Sequence, residues 1–180
     1  MMKNKIGIII LLIFIALLAI GSSLIYIKQY KPYKTIVSNC AKKHSFWNDY
    51  VFGALADCHN HIVIYSGGFD SDQYTISDSL HGGTLAWIDN LNDYVVKDNI
   101  LFVINKNPGG CKTSNGSGTK EVFCVSYYKD GQLITSYYDN LNDIPTHLVI
   151  NTLNGNVLAY NSLEQMPEND RLIFQQLENK

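Results

Sequence analysis

One uninterrupted apolar segment constrains this chain more than any other feature. Ile6–Ile27 contains 22 residues without a charge, and 18 of them are apolar. As a helix at about 1.5 Å per residue it would measure about 33 Å, enough to cross a hydrocarbon core about 30 Å thick. We therefore expect a transmembrane signal-anchor helix at residues 6–27, in contact with membrane lipid and preceded by a basic N-terminus at residues 1–5.

The rest of the chain divides by charge. Residues 28–43 contain five lysines and no acidic residue, whereas residues 44–180 contain 7 basic and 16 acidic residues, a formal charge of −9. We predict a basic juxtamembrane stalk at 28–43 and a soluble head at 44–180. Because nucleic-acid binding needs a basic face, the acidic head argues against a nucleic-acid partner.

The N-terminal segment also has features of a cleaved signal peptide. Ala19-Ile20-Gly21 fits a small-residue cleavage site, but apolar residues resume at Leu24–Ile27, beyond that site. We therefore predict an uncleaved anchor. Cleavage followed by secretion is the alternative.

The orientation of the head depends on opposing arguments. More lysines follow the apolar segment than precede it, which by the positive-inside rule favours a cytoplasmic head. Against this, a short basic N-terminus before one apolar run is typical of a signal anchor, and long C-terminal domains translocate largely regardless of charge. Four cysteines also suit an oxidising compartment. We predict a single-pass inner-membrane protein with an extracytoplasmic head. A cytoplasmic head is the alternative.

The first part of the soluble region predicts helices around one strand. Ile36–Cys58 has apolar residues near helical spacing, with a possible break at Ser45–Asp49. His59–Tyr65 predicts a strand, and residues 67–83 a polar loop. Thr84–Val96 has apolar residues at helical spacing and predicts a short helix.

From Ile100 onwards the pattern predicts β-structure. Two pairs of apolar segments flank Asp-Gly or Asn-Gly dipeptides, the strongest short signal for a hairpin. The chain closes with an amphipathic helix. We therefore predict an α+β fold with a mostly antiparallel sheet of about five or six strands. The expected strands and final helix are Ile100–Asn105, Glu121–Tyr128, Gln132–Tyr138, Thr146–Asn151, Asn156–Tyr160 and Asp170–Leu177.

The four cysteines predict two disulfides. Cys111 and Cys124 lie on either side of a Gly/Ser-rich turn, so a bond between them closes easily. Cys40 and Cys58 would lie roughly 27 Å apart in one straight helix, too far for a disulfide. Either the helix breaks and folds back, or the pairing crosses to the sheet, or both thiols are free. We favour a break, with pairs 40–58 and 111–124.

Candidate reactive side chains are few. On a strand, His59 and His61 would share a face and could share a metal ion, although no further ligand is evident. Asp70 and Asp72 lie in a Gly-bounded loop that lacks the glycine and closing glutamate of a calcium loop. Both are interpreted as ordinary surface features. The sequence contains no nucleotide-binding loop or nucleophile elbow, so we expect no cofactor and favour a non-catalytic protein over an enzyme. It also contains no C-x-x-C pair, so we expect disulfides and no metal site.

Two architectural resemblances bear on function. The apolar N-terminal helix running past Pro32 into a second helix, followed by an antiparallel sheet with a disulfide, resembles type IV pilins and pseudopilins. That resemblance implies a structural subunit. The Gly-Phe cleavage junction and the glutamate of that family's leader are absent.

A second resemblance concerns the C-terminal part of the chain. Ile144-Pro145-Thr146-His147, the apolar residues after it, the turn at Asn154-Gly155 and the final helix look like the C-terminal half of a thioredoxin-like domain. The resemblance implies a cis Pro145 facing active-site cysteines. Because the family's C-x-x-C motif is absent, it implies a degenerate thiol-redox protein.

Lysine outnumbers arginine thirteen to one, and 18 residues are asparagine, a composition typical of a low-GC bacterium. The sequence therefore predicts a bacterial envelope protein whose head binds another envelope protein as an accessory or assembly factor. A pilin-like subunit and a degenerate thiol-redox protein are the alternatives.

Overall fold

The computed structural model describes residues 2–51, 53–66, 73–106, 110–115, 118–129 and 132–179. The chain forms two compact units, Met1–Ser38 and Asn39–Lys180. We describe each unit separately and call the second one the head.

The first unit is a continuous helical segment. Helix α1 (Met2–Ile25) passes through a π-helical turn (Tyr26–Tyr30) into α2 (Lys31–Val37). The π turn ends two residues before Pro32, which has no N–H to continue the α-helical hydrogen-bond pattern. Gly7–Val37 is long and apolar enough to cross a membrane, and the large apolar side chains from Ile8 to Ile27 are exposed. This is consistent with the predicted anchor.

The head contains eleven described strands in three antiparallel sheets. The front sheet has the order β1-β2-β3-β4, the central sheet β11-β10-β6-β5, and a third sheet β7-β8-β9. The strands are β1 (Leu55–His59), β2 (Ile62–Ser66), β3 (Tyr74–Asp78), β4 (Thr84–Ile88), β5 (Tyr94–Lys97), β6 (Ile100–Ile104), β7 (Gly110–Asn115), β8 (Gly118–Lys129), β9 (Gln132–Tyr138), β10 (His147–Asn151) and β11 (Val157–Tyr160).

The main core lies between the front and central sheets. Ile62, Ile64 and Ile76 of the front sheet pack with Leu101 and Leu148 of the central sheet, and all five are fully buried. Alternate residues on each strand point to this layer, as the two-residue period of a strand requires.

The opposite face of the central sheet is also covered. Helix α3 (Glu168–Glu178) places Phe174 and Leu177 against Phe102 and Val149. The central strands β6 and β10 are therefore buried on both faces, which explains why their sequences are almost continuously apolar.

The predicted α+β class is confirmed by an N-terminal helix, antiparallel sheets and a C-terminal helix. Within the described part of the chain, the hairpins β8–β9 and β10–β11 and helix α3 lie where the sequence predicts them. The number of strands, however, is about twice the number expected.

The predicted helix Ile36–Cys58 is wrong beyond Val37. After α2 the chain forms an irregular segment and a π-helical turn (Phe46–Val51), and Cys58 lies in strand β1. The apparent helical spacing included Trp47, whose side chain is 62% exposed and does not contribute to a core face. Cys58 is therefore brought back to Cys40 by a strand, not by a second helix.

The predicted helix Thr84–Val96 is also wrong, because this segment forms β4, a turn and β5. Asp93 sits in the turn and accepts hydrogen bonds from the backbone N–H groups of Asp89 and Asn90 at 3.1 Å. A side-chain acceptor of this kind stabilises a turn in competition with a helix. Leu91, assigned to the apolar face of the predicted helix, is exposed in the turn.

Two further expectations need correction between residues 59 and 83. The expected strand His59–Tyr65 is interrupted at Asn60 and His61, which form the turn of the β1–β2 hairpin. Asn60 has a φ of 53°, a left-handed conformation that asparagine tolerates better than most residues. The expected polar loop 67–83 contains β3, which completes the centre of the front sheet.

Gly155 lies where the β10–β11 turn closely approaches the end of β3. Its φ is +73°, and a Cβ atom there would overlap the carboxylate of Asp78. Gly82 has a similar φ of +81° but open space around it. We expect Gly82→Ala to lower the free energy of unfolding by about 1 kcal/mol, the cost of left-handed backbone at a non-glycine residue.

For Gly155→Ala we expect an additional loss of about 2 kcal/mol, because the buried Asp78 carboxylate must leave its hydrogen-bond partners. Urea unfolding of the two variants measures the difference. Equal losses for both substitutions would contradict the close approach.

Candidate functional site

Four hairpin turns meet at one end of the sheet sandwich. Asn60 in the β1–β2 turn donates from Nδ2 to Asn99 Oδ1 at 3.1 Å and to Thr152 Oγ1 at 2.8 Å. Thr152, in the β10–β11 turn, donates from its backbone N–H and its hydroxyl to the carbonyl of Asn99 in the β5–β6 turn. We call Asn60, Asn99 and Thr152 the turn network. It joins the front sheet to the central sheet by side-chain hydrogen bonds.

The β3–β4 turn contributes a buried carboxylate at the same end. Asp78 is 1% exposed and accepts hydrogen bonds from the backbone N–H groups of Leu80 and His81. Its Oδ2 also lies 2.7 Å from Nδ1 of His81. A buried carboxylate needs such partners, so Asp78 serves to shape the turn.

The segment entering the head is attached at the β1–β2 turn. The backbone N–H of Asn60 donates to the carbonyl of Asn39 at 2.7 Å, and that of Ala41 donates to the carbonyl of Asn60 at 2.8 Å. Between these bonds, Cys40 forms a disulfide with Cys58, with a Cα–Cα distance of 5.3 Å. The pairing agrees with the sequence prediction, and backbone hydrogen bonds brace it on both sides.

Asp57 and His59 of β1 form a separate polar cluster with Tyr94 of β5. Asp57 Oδ2 lies 3.0 Å from Nε2 of His59, and the same oxygen accepts a hydrogen bond from the hydroxyl of Tyr94 on β5. The backbone N–H of Cys58 donates to Asp57 Oδ1 at 2.8 Å. The carboxylate thus joins the edge strand of the front sheet to the edge strand of the central sheet.

This cluster shifts the pKa values of its members. Burial raises the pKa of Asp57, but the hydrogen bonds from His59 and Tyr94 outweigh it and leave the pKa below its ordinary value. Burial, together with the neighbouring Asp57 carboxylate, holds the pKa of Tyr94 well above its ordinary value. The arrangement therefore favours an ionised Asp57 and a protonated Tyr94 at neutral pH.

The chemistry of the cluster is that of a structural contact. His59 and Tyr94 both contact Oδ2 of Asp57, so they stabilise the negative charge of its carboxylate. An Asp–His pair can act as a general base when the histidine also contacts a nucleophile. Among the residues whose contacts are described, no hydroxyl or thiol is hydrogen-bonded to His59.

Within the described ranges, one group of side chains has the residue types and spacing of a metal site, with its two cysteines joined in the disulfide. It consists of Cys40, His44 and Cys58, whose ligand atoms all lie within 4.8 Å of one another. The predicted pair His59 and His61 is not brought together in this way. His59 is bonded to Asp57, and His61 lies in the hairpin turn, where its backbone contacts Ser79 and Thr152.

The remaining predicted site residues have different outcomes. Asp70 and Asp72 lie outside the described residues. The side chains of Cys111 and Cys124 are also outside them, so that disulfide stays a prediction. The backbone register pairs Cys111 with Val122, two residues before Cys124. Pro145 is buried just before β10, and every described peptide bond is trans, unlike the cis proline that the thioredoxin resemblance implies.

Sequence reasoning missed the residues that complete these clusters. Asp57 could have been found, because an aspartate and a histidine two residues apart share one face of a strand. Tyr94 could not have been found, because only the packing of strands brings it to Asp57. His44 could not have been found either, because its position depends on an irregular segment. No protein-family model matches this chain, and no curated protein or solved structure shows significant similarity to it.

The Asp57–Tyr94 hydrogen bond predicts a pH-dependent contribution to stability. Because the pKa of Asp57 is lowered on folding, its contribution is present above the pKa of the unfolded state, near 4, and is lost as pH falls through the folded value. Tyr94→Phe should therefore lower the free energy of unfolding by about 1.5 kcal/mol at pH 7, and the gap to wild type should narrow towards pH 3.

Urea unfolding across this pH range checks the prediction. Tyr137→Phe, at a tyrosine that is 58% exposed on β9, is the control and should cost little at any pH. A Tyr94→Phe penalty that stays constant from pH 7 to pH 3 would contradict the account.

Proposed function

We propose that this chain is a single-pass membrane protein of the bacterial envelope whose extracytoplasmic head binds another envelope protein without catalysing a reaction. The observation that carries the proposal is the combination of one apolar helix, Gly7–Val37, with a disulfide-braced β-sandwich. The helix supplies the membrane contact, and the head supplies a rigid, acidic scaffold.

The disulfide supports the extracytoplasmic orientation. Disulfides persist in oxidising compartments and are rare in the cytosol. Cys40 and Cys58 are 18 residues apart, and closing a loop of this length stabilises a fold by about 3 kcal/mol in the chain-entropy model. It also fixes the segment that enters the head to the sandwich. An anchored head that binds a partner benefits from such a fixed connection.

Two exposed leucines give the head a candidate contact surface. Leu80 lies in the β3–β4 turn and is 52% exposed, and Leu153 lies in the β10–β11 turn and is 54% exposed. The two turns touch where Gly155 approaches Asp78. We call Leu80 and Leu153 the tip leucines. Binding residues are disproportionately found on loops that a scaffold positions, and these two turns are such loops.

A pilin-like structural subunit is the second candidate function. The continuous helical segment from Met2 to Val37 favours it, because a long apolar helix can pack with copies of itself in a filament. The two candidates differ in their partner: a binder contacts a different protein, whereas a subunit contacts its own copies.

Site-specific photocrosslinking of the full-length chain in its native membranes distinguishes them. With a photoreactive residue at Leu80 or Leu153, we expect a discrete adduct with a different membrane-associated protein. Leu172 on α3, which is 50% exposed, is the matched control and should give no such adduct. A ladder of adducts between copies of this chain would favour the pilin-like subunit, and equal labelling at all three positions would contradict a specific surface at the tip leucines.

A further inference from the structure

His44 lies beside the disulfide with an unusual arrangement of its ring. Its side chain is only 5% exposed, and Nδ1 lies 3.2 Å from the Oδ2 of Asp49. The other ring nitrogen, Nε2, is buried and has no hydrogen-bond partner among the described residues. A buried polar atom without a partner is costly, so this nitrogen calls for an explanation.

The position of the ring relative to the cysteines supplies that explanation. A ring nitrogen of His44 and the sulfur atoms of Cys40 and Cys58 lie within 4.8 Å of one another. Because Nδ1 faces the Asp49 carboxylate at 3.2 Å, Nε2 is the nitrogen left for a ligand. Two sulfurs and one imidazole nitrogen form a donor set that zinc prefers.

Asp49 adds the second feature of a metal site. Histidines that bind metals almost always direct their other ring nitrogen to a carboxylate or a carbonyl, which fixes the ring orientation and the tautomer. The Asp49 carboxylate lies at ion-pair distance from Nδ1 of His44, and it accepts a hydrogen bond from the backbone N–H of Ser45. The carboxylate is therefore itself held in place.

We propose that the dithiol form of this chain binds Zn²⁺ through Sγ of Cys40, Sγ of Cys58 and Nε2 of His44. Binding displaces one proton from each thiol, so that the ion is held by two thiolates and a neutral imidazole. The fourth position of the tetrahedron is left for water or an added ligand.

Oxidation reverses this binding. When a small-molecule or protein disulfide accepts the two electrons of the thiolates, the Cys40–Cys58 bond forms, the oxidant is released as two thiols or thiolates, and Zn²⁺ leaves. The reverse reaction needs a dithiol reductant, which becomes a disulfide while the protein takes up the ion. Cys40 and Cys58 therefore form either a structural disulfide or, together with His44, a zinc site.

The backbone is arranged to keep the site in both forms. A zinc ion with bonds of about 2.3 Å to sulfur and about 2.1 Å to nitrogen places its ligand atoms about 3.5–3.8 Å apart, so the two sulfurs, which are bonded to each other in this structure, must separate when the ion binds. The hydrogen bonds between Asn60 and the segment Asn39–Ala41 are made by backbone groups and not by the cysteine sulfurs, so we expect Cys40 to stay next to Cys58 after reduction. Zinc binding by the dithiol form would be the same on either side of the membrane.

The test uses the full-length chain in detergent with Cys111→Ser and Cys124→Ser, so that only the two site cysteines remain. After reduction, it is titrated with Zn²⁺ against a chromophoric chelator, and with Co²⁺ to observe sulfur-to-cobalt charge-transfer absorption. We expect one ion per chain, the charge-transfer band of thiolate ligands, and loss of both thiols' reactivity towards alkylation. Reoxidation should release the ion.

Substitutions assign the ligands. His44→Gln should lower zinc affinity at least tenfold, and Asp49→Asn about 10–100-fold, as for other carboxylates that orient a ligand histidine. His59→Gln is the matched control, because His59 is the neighbour of Cys58 but bonds to Asp57, and it should leave the affinity unchanged.

Thermal unfolding of the oxidised His44→Gln protein separates binding from folding. An unchanged melting temperature in the oxidised form, together with weaker zinc binding in the reduced form, supports the proposal. Absence of stoichiometric zinc in the reduced protein, or equal effects of His44→Gln and His59→Gln, would overturn it.

Discussion

The burial of the central sheet on both faces is the constraint on which the rest of the head depends. Strands β6 and β10 direct Leu101 and Leu148 to the front sheet, and Phe102 and Val149 to helix α3. Burying a side chain of this size contributes about 1.5–3 kcal/mol, and neither face can remain open to water without losing that contribution. The front sheet and the terminal helix are therefore required elements of one three-layer arrangement.

Side-chain hydrogen bonds connect the front sheet to the central sheet. The turn network joins the hairpin turns of two sheets at one end, and the Asp57–His59–Tyr94 cluster joins the edge strands β1 and β5. At the same end, the Cys40–Cys58 disulfide fixes the segment that enters the head. A covalent bond and two backbone hydrogen bonds hold this segment against the β1–β2 turn. The site that we propose for zinc lies within this connection.

The sequence predicted the parts of the fold that depend on local signals. The Asp-Gly and Asn-Gly hairpins, the strand at Ile100 and the C-terminal helix needed only turn chemistry and periodicity. The segment Thr84–Val96 was mispredicted, because its apolar spacing fits a helix until Asp93 is seen to close a turn. The candidate site was harder to predict. Tyr94 is 37 residues from Asp57, and only the pairing of strands brings them together. The buried position of His44 depends on an irregular segment for which no pattern exists.

We propose that the head is braced by the Cys40–Cys58 disulfide and lies on the oxidising side of a membrane. Mass mapping of the cysteines tests it most directly, on protein taken from native membranes after free thiols are blocked and without reduction. The account predicts a linked pair of peptides containing Cys40 and Cys58. Blocked, unlinked thiols at both positions in the native membrane would contradict it.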